Sequence, residues 1–379
     1  MAKKVFLHVG LPKTATTYLQ TILWDHREEV EAQGVRLPGL ARHDHLWSTR
    51  IVREDVQFRR VSSKRRLAAW DRIRADVAAW PDTCLISHEF FGAATAEQAA
   101  RVVADLAPAE VHLVVTAREP LSLFAASWQE SIKNRGTTPM ADYSTSESED
   151  PNDVWNWRTL DLRLVLERWA PAFAPEHVHV LPLPGSDAPR QLIWDRFAEL
   201  VGIDPDSVDV SVSFPNASMG VVEAETLRRM NFHLDSFRSA IDRGTFIRSF
   251  LADQRLVPRD GERYWPRAEQ VADARERGRA AVALVRESGF EVIGDLEGLL
   301  VPDDLPERRT PETVTDSEVA AVAVELAATL LHDVRDLRHE RRALRSELEA
   351  FAAAPVKGVV RHHFPRLGDR LRRVLRRET

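Results

Sequence analysis

The stretch that decides the fold reads Lys4-Val5-Phe6-Leu7-His8-Val9-Gly10-Leu11-Pro12-Lys13-Thr14-Ala15-Thr16-Thr17-Tyr18. Its first part, from Val5 to Val9, is a short apolar run of the kind that forms a buried strand. Gly10 and Pro12 interrupt the strand, and apolar residues at helical spacing then continue to about residue 31. A strand, a tight loop and a helix start direct backbone N–H groups into the loop, where the helix dipole also favours an anion. The sequence therefore predicts an anion-binding loop.

This loop differs from the common nucleotide-binding pattern Gly-x4-Gly-Lys-Ser/Thr in the position of its lysine. When Gly10 and Thr17 are aligned with that pattern, Ala15 stands in place of the second glycine and Thr16 in place of the lysine. The lysine of this chain, Lys13, comes three residues earlier. The anion-binding loop is therefore retained, but its lysine occupies a different position. This indicates a phosphate-like ligand other than an ordinary nucleoside triphosphate.

The loop resembles one found in sulfotransferases that use 3′-phosphoadenosine 5′-phosphosulfate as the sulfuryl donor. The likeness is carried by Pro12-Lys13-Thr14-Ala15-Thr16-Thr17, where that family has Pro-Lys-Thr/Ser-Gly-Thr-Thr. The resemblance implies that Lys13 and the loop hydroxyls hold the 5′-phosphosulfate and that Tyr18 stacks on adenine. The implied donor-binding loop comprises Gly10, Pro12, Lys13, Thr14, Ala15, Thr16 and Thr17. Ala15 is a departure, because its methyl group disfavours the positive φ that glycine adopts easily.

A second segment, residues 111–133, extends the resemblance. An apolar strand ends in Arg118, and a helix follows from about Pro120. The family clamps the donor's 3′-phosphate with an arginine at such a strand end and a serine about two turns later, which implies these roles for Arg118 and Ser127. A planar guanidinium suits a phosphate. Ser127 lies nine residues after Arg118 instead of the usual eight, so Ser122 is a second candidate for the same role. The alternative for Arg118 is a structural salt bridge, and the alternative for Ser127 is a position on the helix surface.

A third strand end carries the candidate acid–base groups, in Cys84-Leu85-Ile86-Ser87-His88-Glu89-Phe90-Phe91-Gly92. Functional groups of open α/β sheets gather at the carboxyl ends of strands, and sulfuryl transfer to an alcohol needs a base. Carbohydrate-modifying relatives resemble this chain in using a glutamate there, whereas cytosolic steroid and phenol enzymes use a histidine. We therefore expect Glu89 to be the base, with His88 contacting or orienting the acceptor. The alternative for Glu89 is stabilisation of a helix dipole.

The alternation of strands and helices predicts an α/β fold with a parallel sheet flanked by helices, of the P-loop type. Strands are expected at 5–9, 84–87, 111–117 and 178–183, with helices at about 15–31, 65–80, 95–107, 120–134, 159–170 and 188–201. A further helix is expected from Ser218, as its N-cap, to about Asp242. The predicted organisation is a sulfotransferase-like domain at 1–305, a linker at 306–316, a long helix at 317–353 and a basic amphipathic tail at 354–379.

Composition narrows the class of protein. The net charge of −6 gives no electrostatic footprint for nucleic-acid binding. The single cysteine, Cys84, excludes an internal disulfide and a zinc–cysteine site. No secretory leader and no apolar run near 18 residues stand out, so we expect a cytoplasmic protein. The heptad spacing of the long helix predicts either a short homodimeric coiled coil or packing of the helix on the domain. The basic tail predicts either a contact with an anionic membrane surface or a disordered or self-docking segment.

The sequence thus predicts a sulfotransferase that moves a sulfuryl group from 3′-phosphoadenosine 5′-phosphosulfate to a hydroxyl-bearing acceptor. No metal is expected to be required, because Lys13 supplies the cation. His43 and His45 have the spacing of metal ligands, but no third ligand is near, and a solvated loop is the simpler interpretation. One alternative is a P-loop kinase for a small molecule, which would need a lysine at Thr16. Another is a non-catalytic nucleotide-binding scaffold that works through its coiled coil and basic tail.

Overall fold

The computed structural model describes residues 2–143, 147–185, 187–211 and 218–353. Contacts between Cα atoms divide the chain into two compact units, Met1–Val314 and Thr315–Thr379. The predicted basic tail, 354–379, lies outside the described residues. In the described ranges, no helix is both long enough and apolar enough to cross a membrane.

Among the described residues of the first unit, six parallel strands form one sheet, in the order β2-β3-β1-β4-β5-β6. The strands are β1 Lys4–His8, β2 Val35–Arg36, β3 Thr83–Ser87, β4 Glu110–Ala117, β5 Val178–Pro182 and β6 Glu291–Val292. The predicted α/β class and parallel sheet are confirmed. The four predicted strands are present to within one residue at each end, whereas β2 and β6 were missed because two residues form no recognisable pattern.

Helices cover both faces of the sheet, as expected for parallel strands. The α-helices are α1 Thr16–Asp25, α2 Arg27–Ala32, α3 Arg42–Val52, α4 Val56–Val61, α5 Lys64–Leu67, α6 Ala69–Ala79, α7 Ala96–Leu106, α8 Pro120–Lys133, α9 Trp157–Leu160, α10 Leu162–Trp169, α11 Leu192–Val201, α12 Val221–Met230, α13 Ala240–Asp242, α14 Ala268–Ser288 and α15 Asp316–Ala353. A π-helix, Arg243–Leu256, follows α13, and a 3₁₀-helix, Glu89–Ala93, follows β3.

Three local expectations differ from the structure. The helix predicted over 15–31 is broken at His26, which lies between α1 and α2. The segment around His43, expected as a loop, is the first turn of α3. The long helix expected from Ser218 to Asp242 is replaced by the shorter α12, whose N-cap is Gly220. That helix ends where Asn231 donates its side-chain amide to the carbonyls of Ile132 and Gly136, which turns the chain out of the helical path.

The core that positions the site lies between the central strands and two helices. Leu19, Ile22 and Leu23 of α1 pack with Trp194 and Phe197 of α11, and all five are fully buried. Burying one such side chain stabilises the fold by about 1.5–3 kcal/mol. The same cluster contains residues of all four central strands, namely Phe6, Leu85, Val114 and Leu181. This packing fixes the start of α1 against the carboxyl end of β1.

The second unit, described to residue 353, consists of the 38-residue helix α15. At 1.5 Å per residue this helix is about 57 Å long. Four apolar residues that recur at heptad spacing along this helix are exposed, and they are called the heptad seam: Val334, Leu337, Leu344 and Leu348. A homodimeric coiled coil along this seam stays a prediction.

Candidate active site

The loop after β1 lies in a crevice that the strand order creates. The connection from β1 leads to β2 on one side of the sheet, while the connection from β4 leads to β5 on the other. Adjacent parallel strands whose connections diverge leave an opening at their carboxyl ends, where ligands of α/β proteins bind. The loop remains attached to β4, because Val9 N donates to Val114 O at 3.0 Å and Leu11 N to Thr116 O at 2.9 Å. Lys13, Arg118 and Glu89 therefore all follow strands that end at this edge.

The loop has the backbone form of an anion cradle. Lys13 and Ala15 both have positive φ, 65° and 60°, and Ala15 is the N-cap of α1 without a capping side chain. Within the described chain, no protein acceptor is recorded for the backbone N–H groups of residues 13–18. Left-handed backbone costs an L-residue about 1–2 kcal/mol, and such strain concentrates at ligand sites. Ala15 thus adopts the conformation that its methyl group disfavours.

Gly10 is required by the close approach of the loop to β4. A Cβ atom at Gly10 would lie 2.3 Å from Thr116 Oγ1 and 2.6 Å from His8 Nε2. Both atoms belong to a buried chain of hydrogen bonds. Thr14 Oγ1 donates to Leu11 O at 2.6 Å and lies 2.7 Å from Thr116 Oγ1, which in turn lies 3.0 Å from His8 Nε2. The Thr14 hydroxyl therefore points into the protein and holds the loop in shape.

The remaining loop residues differ in how accessible they are to a ligand. Thr16 is 3% exposed and Pro12 is buried, whereas Thr17 is exposed at the first turn of α1. Tyr18 is half-buried and packs at the edge of the core. Burial raises the pKa of Tyr18, and Asp195 raises it further, so the phenol is neutral at physiological pH. Thr17 and Tyr18 are the side chains of this group that a donor nucleotide would meet.

Lys13 lies among charged groups that the sequence did not connect with it. Its ammonium is 3.0 Å from Glu130 Oε2, and 36% of its side chain is exposed. Burial of the ammonium end, followed by repulsion from Arg248 and Lys133, lowers the pKa of Lys13 to about 8. Glu130 attracts this ammonium, but Arg248 engages both oxygens of the same carboxylate. Two further positively charged side chains, Arg248 and Lys133, therefore lie close enough to Lys13 to oppose its charged form.

Glu130 and Arg248 are functional candidates that the sequence analysis missed. Glu130 lies on α8 and its side chain is 5% exposed, while Arg248 comes from the π-helix 118 residues later. A second ion pair from the same helices, Lys133 Nζ to Asp253 Oδ1 at 2.7 Å, supports the first. The sequence signal for Glu130 was a carboxylate two residues after the buried Trp128, within a helix rich in apolar residues. Its partners were invisible because they lie more than 100 residues away.

Arg118 has the environment expected of an anion-binding arginine. Its side chain is half-buried at the end of β4, and no hydrogen bond or ion pair is recorded for it within the described chain. Burial lowers the pKa of Arg118, although the neighbouring Glu119 opposes the shift. Glu119 does not engage the guanidinium in a hydrogen bond, because its carboxylate caps α8 by accepting from Leu121 N and Ser122 N. A half-buried guanidinium without a carboxylate partner suits a phosphate.

Ser127 is less accessible than its predicted role requires. It is fully buried on α8, and its hydroxyl lies 2.6 Å from the phenol oxygen of Tyr143. A phosphate would reach Ser127 only if that pair opened. Ser122 is half-buried in the first turn of α8, four residues from Arg118, and is the better placed hydroxyl.

Glu89 and His88 lie at the end of β3. Glu89 Oε2 accepts from Gln20 Nε2 at 3.3 Å and is 3.6 Å from His88 Nδ1. Burial would raise the pKa of Glu89, but His88, the Glu89 amide and Gln20 outweigh it, so the pKa lies below its usual value. Burial lowers the pKa of His88 despite the attraction of Glu89. At neutral pH the glutamate is therefore ionised and the histidine neutral.

Neighbouring groups hold Glu89 in place. Gln20, which donates to Glu89, accepts from Arg42 Nη2 at 2.9 Å. Phe90, the next residue in the chain, forms a T-shaped ring pair with Trp155, with centroids 5.7 Å apart.

His45 serves the structure and not a metal. His45 Nε2 donates to Pro38 O at 2.8 Å, and Nδ1 accepts from Ser87 N at 3.1 Å. Both ring nitrogens are thus engaged by backbone, which leaves no lone pair for an ion. Burial lowers the pKa of His45 to about 4. The metal interpretation of His43 and His45 is therefore not supported by the geometry.

Comparisons with known proteins give one likeness. No protein-family profile matches the chain, and no curated protein matches it significantly in sequence. Among solved structures, the chain is similar to a sulfotransferase from Alicyclobacillus acidocaldarius, with 14% sequence identity and a TM-score of 0.43. The match covers 76% of this chain and 97% of that chain. A likeness at this level assigns no activity, so the function must be argued from the site.

Proposed function

We propose that the chain transfers a sulfuryl group from 3′-phosphoadenosine 5′-phosphosulfate to a hydroxyl group. The observation that carries the proposal concerns the ends of the neighbouring strands β1 and β4: within the described residues, neither Arg118 after β4 nor the backbone N–H groups of residues 13–18, in the Lys13 loop after β1, have a protein partner. These are two separate anion sites at one crevice, and the donor has two separate anionic groups. The sequence resemblance of the loop, from Pro12 to Thr17, supports this donor over an ordinary nucleoside triphosphate.

The proposed reaction gives each charged group a role. Glu89 takes the proton of the acceptor hydroxyl while its oxygen forms a bond to sulfur. The bond between sulfur and the bridging oxygen breaks, and adenosine 3′,5′-bisphosphate leaves. Negative charge grows on that oxygen, where Lys13 and the loop N–H groups stabilise it. Glu130 positions Lys13, since its carboxylate lies 3.0 Å from the ammonium, and Arg248 in turn engages both oxygens of that carboxylate.

The hydrogen bonds at β3 favour Glu89 over His88 as the base. His88 Nδ1 accepts from Phe90 N at 3.2 Å, so the proton of the neutral ring is on Nε2. In that form Nε2 is a donor and Nδ1 is engaged, so neither nitrogen is available to take a proton. Glu89 is ionised and has a second oxygen that accepts no recorded hydrogen bond from another side chain. His88 Nε2–H is suited to hold the acceptor oxygen.

Ligand binding tests the proposal. Isothermal titration calorimetry compares adenosine 3′,5′-bisphosphate with adenosine 5′-monophosphate, which lacks the 3′-phosphate. The wild type should bind the bisphosphate more tightly, and Arg118→Ala should weaken it by about 10- to 100-fold, the range for a charged hydrogen bond. Arg279→Ala is the matched control, because Arg279 lies on α14 with 65% of its side chain exposed. Equal affinity of the wild type for both nucleotides would contradict the proposal.

A further inference from the structure

A second polar cluster lies near the amino-terminal ends of the strands, whereas the proposed donor site lies at their carboxyl ends. Glu110 and His112 begin β4, and His177 ends the turn before β5. One potential ligand atom from each of the three lies within 4.8 Å of the other two. The eight residues of β4 separate this cluster from Arg118, which at ~3.3 Å per residue is about 25 Å. The cluster therefore has no part in the chemistry proposed above.

Four side chains form a continuous row through this cluster. Glu110 Oε1 lies 2.8 Å from His112 Nε2. His112 Nδ1 lies 2.8 Å from His179 Nε2, and His179 Nδ1 lies 2.5 Å from Glu291 Oε2. His112 and His179 are buried, whereas the two carboxylates are about half exposed. The row crosses β4, β5 and β6 in turn.

The row has three contacts but only two imidazole rings. Each of the three contacts requires one hydrogen between its two heavy atoms. A neutral imidazole supplies one such hydrogen, and a carboxylate ion supplies none. With two neutral rings the row would be one hydrogen short, and one contact would place two lone pairs face to face.

A cation on His112 Nε2 removes the shortfall. His112 would then carry its proton on Nδ1 and donate it to His179 Nε2, and His179 would donate from Nδ1 to Glu291. Every remaining contact has one donor and one acceptor. Metal-bound histidines usually donate their second ring N–H to such a partner, which fixes the tautomer and orients the ring. The His179–Glu291 pair has the arrangement of that supporting partner.

We propose that Glu110, His112 and His177 bind a divalent transition-metal ion, for which Zn²⁺ is the best chemical match. Imidazole nitrogens and one carboxylate oxygen are common zinc ligands. The ring of His177 is 4.4 Å from that of His112 between centroids, and no hydrogen bond is recorded for it within the described chain. Tetrahedral bonds of about 2.1 Å place ligand atoms about 3.4 Å apart. The half-exposed Glu110 side chain has the freedom to open its 2.8 Å contact to that spacing.

One positively charged side chain, Lys4, lies next to the proposed site. Lys4 is the nearest cation, with its ammonium 3.7 Å from Glu110 Oε1 and 40% of its side chain exposed. It is free to turn into solvent when an ion binds, so its repulsion is screened. A bound ion would join β4 to the turn that precedes β5. Because it binds the folded state, saturation at about 100 times the dissociation constant should raise Tm by about 5 °C.

The test uses the full chain without a histidine tag, stripped by a chelator and titrated with Zn²⁺ in a calorimeter. We expect one site per chain, and a visible absorption band of tetrahedral form when Co²⁺ replaces Zn²⁺. His177→Gln and Glu110→Gln should each weaken Zn²⁺ by at least 10- to 100-fold, and Glu291→Gln by about 10- to 100-fold. His43→Gln is the matched control, since His43 is exposed on α3 and should leave the affinity unchanged.

Circular dichroism of the metal-free variants separates lost binding from lost folding. His177 and Glu110 lie at the surface, so both variants should fold. Failure of the wild type to bind Zn²⁺ would overturn the proposal. So would wild-type affinity in both His177→Gln and Glu110→Gln, because the ion would then bind elsewhere among the 13 histidines of the chain.

Discussion

The state of Lys13 should control donor binding between pH 7 and 10. With its pKa at about 8, Lys13 is mostly charged at pH 7 and almost entirely neutral at pH 10. Only the charged form attracts the phosphosulfate, so affinity should decline as pH rises from 7 through 8 and towards 10. The sign follows from the anion, which binds the protonated loop more tightly than the neutral one.

The expected loss has a definite size. At two pH units above the pKa, about 1% of Lys13 is protonated, which corresponds to a loss of about 100-fold, or about 2.7 kcal/mol. Because 36% of the side chain is exposed, solvent screens part of the interaction. We therefore expect adenosine 3′,5′-bisphosphate to bind about 10- to 100-fold more weakly at pH 10 than at pH 7.

Calorimetric titrations at several pH values measure this loss, and Lys13→Arg supplies the matched control. Arginine stays charged throughout this range, so its variant should show little decline. Other groups that titrate above pH 7 are common to both proteins and cancel in the comparison. A flat wild-type curve, or the same decline in both proteins, would refute the role given to Lys13.

The remaining predictions concern the base and the loop. Glu89→Gln should abolish transfer while bisphosphate affinity is retained, and His88→Asn should mainly raise the KM for the acceptor; steady-state kinetics that show the reverse would make the histidine the base. Ala15→Gly should raise the free energy of unfolding by about 0.5–1 kcal/mol in urea titrations. The reason is that relief of about 1–2 kcal/mol of left-handed backbone strain in the folded state outweighs the entropic cost of glycine's greater freedom in the unfolded chain. A decrease would contradict the strain at φ 60°. Gly10→Ala should lower the same quantity by about 1–3 kcal/mol, because its Cβ would meet Thr116 Oγ1 at 2.3 Å; wild-type stability would argue against the close approach.

The parts of the fold that could be predicted are those determined by residues close together in the sequence. The apolar run, Gly10 and the helix spacing that follows define β1, the loop and α1 without reference to distant residues. Strand ends then locate Arg118 and Glu89, because parallel strands bring their carboxyl ends to one edge. The sheet order, which the sequence did not predict, places β3, β1 and β4 side by side.

Contacts between distant residues set the rest. The pairing of Arg248 with Glu130 spans 118 residues, and nothing in either segment specifies the other. The inward direction of the Thr14 hydroxyl depends on Thr116 of β4, so a loop motif alone does not separate a ligand contact from a structural one. The row through His112 and His179 likewise exists only because β4 and β5 pair in register, with Val114 beside His179.

Product analysis tests the proposed transfer most directly. The purified chain is incubated with 3′-phosphoadenosine 5′-phosphosulfate and a small-molecule extract, and chromatography with mass spectrometry follows both products. We predict release of adenosine 3′,5′-bisphosphate matched by a sulfated product, with both reduced about 100-fold or more in Lys13→Ala. In a parallel incubation with ATP as the donor, conversion of ATP to ADP with a phosphorylated product would indicate a kinase instead. Absence of bisphosphate release with every extract fraction, or full release by Lys13→Ala, would contradict sulfuryl transfer at this site.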